Sequence, residues 1–133
     1  MTATTPARPG KKLNIALWTL QILLGLFFII FSGLPKLFGQ EDAVRIFDEI
    51  GWGDWFRYFT GVVETAGGIG LMVPRLSGLA AAGLAITMVL AAATVVFLLD
   101  TAAVGALFPL ALAVVFAWIA YERRDTITSL RLR

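Results

Sequence analysis

One carboxylic acid, Glu64, lies near the middle of a largely apolar block that runs from about Trp55 to Val73. A charged side chain at bilayer depth costs roughly 2.5–3.5 kcal/mol on insertion scales, so it normally faces the inside of a helix bundle. A carboxyl held there can exchange protons or anchor the polar end of a ligand. Two other polar groups fall at comparable depth. Glu64 is about 16 Å along a helix from Arg75, the amide Gln21 is about 14 Å from Lys12, and the hydroxyl Thr87 is about 18 Å from Arg75. Three segments each placing a polar group near the midplane read most simply as one shared site.

Helical phase points the same way. Arg57, Gly61, Glu64 and Gly68 recur at i, i+4, i+7 and i+11 and share one face. The two glycines let a neighbouring helix or a flat ligand approach the backbone beside the carboxyl. Gln21, Gly25, Phe28 and Ser32 form a similar face, with Lys36 one turn beyond. Gln21, Glu64, Thr87, Gly61 and Gly68 are therefore the candidate ligand-binding set, with Glu64 as the proton-exchanging group. A plainer reading stands beside this one, in which Glu64 only ties helices together through hydrogen bonds to Gln21 or Thr87. Gln21 alone reads more readily as an interhelical hydrogen bond. Thr87 and Thr94 read as bonded to their own helix backbones. Lys36 and Arg57 are snorkelling anchors or partners reaching toward Glu64, with Arg57 the closer in phase.

The elements that must position these residues follow from the charge gaps. No charge occurs between Lys12 and Lys36, between Arg75 and Asp100, or between Asp100 and Glu122. About 20 apolar residues cross the hydrocarbon layer. The sequence therefore predicts an all-α, integral membrane four-helix up-down bundle with spans at about 13–34, 55–73, 76–99 and 102–121. Residues 40–50 place Ala43, Ile46, Phe47 and Ile50 at helical spacing among acids, which predicts a short amphipathic helix at the interface between spans one and two. Pro74–Arg75 and Asp100 mark tight turns, and Asp100 or Thr101 could cap the last span. Residues 1–10 have the composition of a disordered tail, residues 11–124 form one transmembrane domain, and residues 125–133 form a basic tail. The first apolar run is too long for a cleaved signal peptide and ends without a small-residue cleavage site. Arg8, Lys11, Lys12, Arg75, Arg123, Arg124, Arg131 and Arg133 fall on the side of the termini, which places both termini in the cytoplasm.

Of the 133 residues, 59% are hydrophobic and 15% charged, too few polar residues to cover a soluble domain. The chain has no cysteine and no histidine. Thiolate chemistry, iron–sulfur ligation and the usual haem and zinc sites are thereby excluded on this chain, and no metal site is expected. A net charge of +2 spread over the tails gives no footprint for nucleic acid.

The ordered set Leu24-Gly25-Leu26-Phe27-Phe28, Ser32-Gly33-Leu34-Pro35-Lys36-Leu37, and Gly61-Val62-Val63-Glu64 with Gly67, Gly68, Leu71 and Arg75 resembles the DoxX family of small four-span bacterial membrane proteins. Leu17-Trp18-Thr19-Leu20-Gln21 is similar to the opening of its DoxX-like branch. Pro74 departs from the pattern, standing where a glycine is common. The resemblance implies a four-helix bundle in the bacterial inner membrane. It also implies a link to redox metabolism, through a subunit of a thiosulfate–quinone oxidoreductase and through oxidative-stress systems. Lys36, Glu64 and Arg75 match the charged pattern, and Gly33, Gly61, Gly67 and Gly68 match packing positions.

Three functions follow as expectations. The first is an accessory or quinone-proximal subunit of a membrane oxidoreductase. It would have no cofactor of its own, a quinone as ligand, lipid and a redox protein as partners, and a second copy of itself as a further partner. The second is an oligomeric proton-coupled small transporter, although no interrupted helix pair or inverted repeat is evident. The third is a structural or assembly factor without chemistry.

Overall fold

The uncharged apolar runs become long helices because, in a bilayer, a continuous helix satisfies every backbone polar group internally. The computed structural model describes residues 10–99 and 102–131. Among the described residues there is no strand, and the chain is an all-α membrane protein. Helix α1 runs from Lys11 to Phe38, α2 from Glu41 to Ile50, α3 from Asp54 to Met72, and α4 from Ser77 to Phe97. A 3₁₀ turn, Ala103–Ala106, leads into α5, Leu107–Glu122, and α6 spans Arg124–Arg131. The tail at residues 1–9, the cap expected of Asp100 or Thr101, and the last two residues lie outside the described residues.

Three helices are long and apolar enough to cross a membrane: Lys11–Phe38, Ser77–Phe97 and Ala103–Glu122. Helix α3 has 19 residues, close to the length a bilayer requires, but carries Arg57 and Glu64 within it. Both side chains turn inward, at 5% and 4% exposure. Helix α3 packs against α1 on one side and α4 on the other, and α4 packs against α5. Large side chains close the ring, Phe28 of α1 meeting Phe116 of α5 edge-to-face at 5.3 Å. Leu17, Leu71, Leu84 and Ile119 are fully buried around that contact.

Glycines set the α1–α3 register. A Cβ added at Gly25 would lie 2.7 Å from the Gly68 carbonyl oxygen, and one at Gly68 would lie 2.7 Å from that of Gly25. One turn-pair further on, Gly61 faces Gly33, and a Cβ there would lie 3.0 Å from the Gly33 carbonyl oxygen. Association of apolar helices in lipid relies on such close backbone approach.

Two boundaries differ from the sequence expectation. Helix α1 does not stop at Leu34 but continues through Pro35 to Phe38. It does so by widening into a π-turn over Phe28–Gly33, where the Leu34 N–H bonds the Ile29 carbonyl five residues back. Pro35 offers no N–H to the turn before it, and the wider turn absorbs the loss. Gly39, at φ 74°, then ends the helix in a conformation that favours glycine. The second difference is at the C-terminus. The stretch expected as a basic tail is helical over Arg124–Arg131, and Thr126 Oγ1 accepts the Gly78 N–H at 3.1 Å, serving the open amide end of α4. The amphipathic α2 forms where the spacing places it, with Gln40 Oε1 accepting the Ala43 N–H at 3.1 Å as its N-cap. Its buried residues, Phe47 and Ile50, face the bundle.

Candidate functional site

The π-turn of α1 positions the polar centre. It puts Ser32 against α3, and Lys36, one turn later, directs its side chain back toward the N-terminus as helical side chains do. Lys36 Nζ lies 2.7 Å from Glu64 Oε1, 3.0 Å from Ser32 Oγ and 3.2 Å from the Ser32 carbonyl oxygen. Ser32 Oγ in turn donates to Glu64 Oε1 at 2.9 Å. Glu64 is thus buried, ion-paired and hydrogen-bonded, the condition under which a charge is tolerated inside a protein.

This triad forms one wall of a cavity of about 680 Å³ between α1, α3 and α4, with α2 as its roof. Ile46, Phe47, Phe56, Val63 and Val95 contribute apolar walls. The other polar side chains lining it are engaged within their own elements. Thr60, Thr87 and Thr94 donate to carbonyls four residues back, Gln40 caps α2, and Asp42 pairs with Arg45. The rim includes Phe31, Phe59 and Leu90, which are 71%, 57% and 62% exposed. In a membrane protein such apolar exposure faces acyl chains, so the cavity opens sideways to the bilayer.

The structure separates residues that the sequence groups together. Thr87 lines the cavity with Glu64, but its hydroxyl bonds the Gly83 carbonyl at 2.8 Å. Gly61 and Gly68 do not line it. Helix α1 fills the space beside them, so they act as packing positions and not as a ligand slot. Of the two expected cations, Lys36 reaches the carboxyl and Arg57 does not. Arg57 Nη1 instead donates to the Lys36 carbonyl oxygen near the open C-terminal end of α1, and its guanidinium stacks 4.4 Å from the Tyr58 ring. Arg75 is exposed in the turn after α3 and takes no part.

Gln21 is a correction. It is fully buried but belongs to another centre, at the opposite end of the bundle from α2. Its Nε2 donates to the Leu71 carbonyl oxygen at 2.7 Å, and its Oε1 accepts from Arg123 Nε at 2.8 Å. Arg123 Nη1 also donates to Asn14 Oδ1 at 2.7 Å, and the guanidinium lies 5.0 Å from the Trp18 ring. The physical reason is register. With Gly25 opposite Gly68, Gln21 lies level with Leu71, seven residues and about 10 Å from Glu64. Burial pushes the Arg123 guanidinium below its ordinary value while Asp125 and Glu122 act the other way, and it stays cationic at neutral pH. This centre ties α1, α3 and α5 together. Arg123→Ala is expected to cost about 3 kcal/mol by stranding one buried and one half-buried acceptor. Denaturant titration in mixed micelles checks that expectation.

Sequence reasoning left three participants unassigned. Ser32 carried a legible signal, since Ser32 and Lys36 are four apart on one face. Asn14 lies seven before Gln21, also on one face. Arg123 carried none, because its partners are 102 and 109 residues away in the chain.

The model of the DoxX-like family matches residues 19–120, which contain Ser32, Lys36, Glu64 and all the other residues that line the cavity. No curated protein and no solved structure matches the chain. With residues 19–120 of its 133 residues matched, the chain belongs to the DoxX-like family.

Proposed function

We propose that this protein is a membrane-embedded accessory subunit that holds a lipid-soluble, quinone-class molecule for an oxidoreductase or oxidative-stress system. The observation that carries the reading is an ion pair set in the wall of a largely apolar cavity that opens to the bilayer. A ring with a long apolar tail enters such a space from lipid, and its oxygen-bearing head finds Glu64, Lys36 and Ser32. Interconversion of quinone and quinol moves protons, and Glu64 is the group placed to take or give one. The electrons belong to a partner protein, since the chain carries no cysteine or histidine for a redox centre. The basic residues near both chain ends favour cytoplasmic termini in a bacterial inner membrane, with α3 as a fourth span. Exposed apolar faces on α4 and α5 leave room for a second copy.

Separation of Gln21 from Glu64 narrows the site to the triad. Glu64→Gln is expected to keep the fold, because the amide oxygen still accepts from Lys36 and Ser32. It is expected to abolish quinone-linked activity of the assembly, because the amide exchanges no proton. Purification in mild detergent followed by mass spectrometry of retained small molecules tests the binding itself. A redox partner recovered with no retained lipid-soluble ligand would leave an assembly factor in its place.

A further inference from the structure

A count of hydrogen-bond valences at the triad specifies the ligand's head group more narrowly. An ammonium has three N–H donors and a hydroxyl has one. The three oxygens around Lys36 Nζ, at 2.7, 3.0 and 3.2 Å, match its three donors. The Ser32 proton is directed to Glu64 Oε1 at 2.9 Å. All four donors of the triad are therefore spent within it. The threonine hydroxyls of the cavity donate to their own helices. What remains is acceptor capacity. Both contacts to Glu64 fall on Oε1, and among the described residues none falls on Oε2. Glu64 lines the cavity, and Oε2 carries its remaining acceptor capacity.

We infer that the cavity selects a neutral lipophilic molecule whose head donates a hydrogen bond, a phenol or quinol hydroxyl, over the same molecule presenting only carbonyl or ether oxygens. A carbonyl oxygen brought to Oε2 meets a second acceptor and loses its hydration without compensation. A hydroxyl gains a hydrogen bond to a charged acceptor, which corresponds to about tenfold to a hundredfold in affinity. This inference rests on the binding role proposed above and assigns the reduced, hydroxyl-bearing form of the ligand as the one the resting site holds.

The test compares 4-decylphenol with 4-decylanisole, two probes of nearly one shape that differ in the O–H. Binding to the full chain in detergent micelles is read by equilibrium dialysis, with protein-free micelles as the partition reference. The phenol is expected to bind at least tenfold more tightly than the ether. In Glu64→Gln, with the amide oxygen in the place of Oε1, the free valence becomes an N–H donor, and the ratio is expected to fall to about one. Equal binding of both probes by the native protein overturns the inference while leaving the cavity's binding role intact. Failure of both probes to bind overturns the binding role as well. A phenol preference that persists in Glu64→Gln also overturns the assignment to Oε2. Should that variant not fold, the native comparison alone decides.

Discussion

Glu64→Leu is expected to destabilise the protein by about 3 kcal/mol, near the lower end of the range for removing one partner of a buried ion pair. The loss comes from what is left behind. Without the carboxylate, the Lys36 ammonium keeps two Ser32 oxygens but no counter-charge. The lower end applies because the Lys36 side chain is 18% exposed, against 6% for Glu64. The companion double variant, Glu64→Leu with Lys36→Met, is expected to recover most of that stability, since apolar replacement of a whole buried pair is often neutral. Unfolding free energies from detergent titration complete the cycle. A double variant as unstable as Glu64→Leu alone would mean that the carboxyl stabilises through something other than Lys36. The contrast also bears on function. Recovery in the double variant would show that the pair adds little net stability, as the binding role proposed above requires.

The second large effect concerns backbone contact. Gly33→Ala is expected to cost about 2–3 kcal/mol, because the new Cβ would strike the Thr65 hydroxyl and lie 2.8 Å from the Thr65 backbone nitrogen. This exceeds the gain of about 1 kcal/mol that alanine brings to a helix interior over glycine. Gly83 supplies the control, since nothing lies within 4 Å of a Cβ built there. Gly83→Ala should therefore stabilise, by up to about 1 kcal/mol. The same titration measures both, and equal signs for the two variants would refute the packing argument. Gly33 also adjoins Ser32, so the displaced α1 should loosen the Lys36–Glu64 contact.

The sequence made the architecture legible because charge gaps and helical spacing are local. The amphipathic helix forms at Glu41–Ile50, where the spacing places it, whereas the last apolar run opens with a 3₁₀ turn and becomes α-helical only at Leu107. Lys36 and Glu64 were both visible, one as the end of a charge gap and the other as the lone acid inside a later apolar block. What failed was depth. Counting residues from Lys12 treated that lysine as a fixed membrane boundary. The true ruler is the contact of Gly25 with Gly68 and of Gly33 with Gly61, which sets α1 against α3 and carries Gln21 to the level of Leu71. Phase failed for Arg57 for a related reason. Arg57 shares a face with Glu64, yet a long side chain reaches along the helix, and the carbonyl end of α1 draws it away from the carboxyl. The role of Arg123 depends on partners more than a hundred residues distant, and no local pattern announces such a contact.

The sideways mouth of the cavity lies in the half of the bundle nearer α2, at Phe31, Phe59 and Leu90, while the other half is knotted by Arg123. For the ligand proposed above, supply would be one-sided, drawn from a single leaflet. A slowly flipping amphiphile made in the opposite leaflet stays out of reach, whereas a small-headed molecule that crosses the midplane freely arrives whichever face produced it. On that proposal, transverse mobility would select among candidate ligands before any hydrogen bond is made.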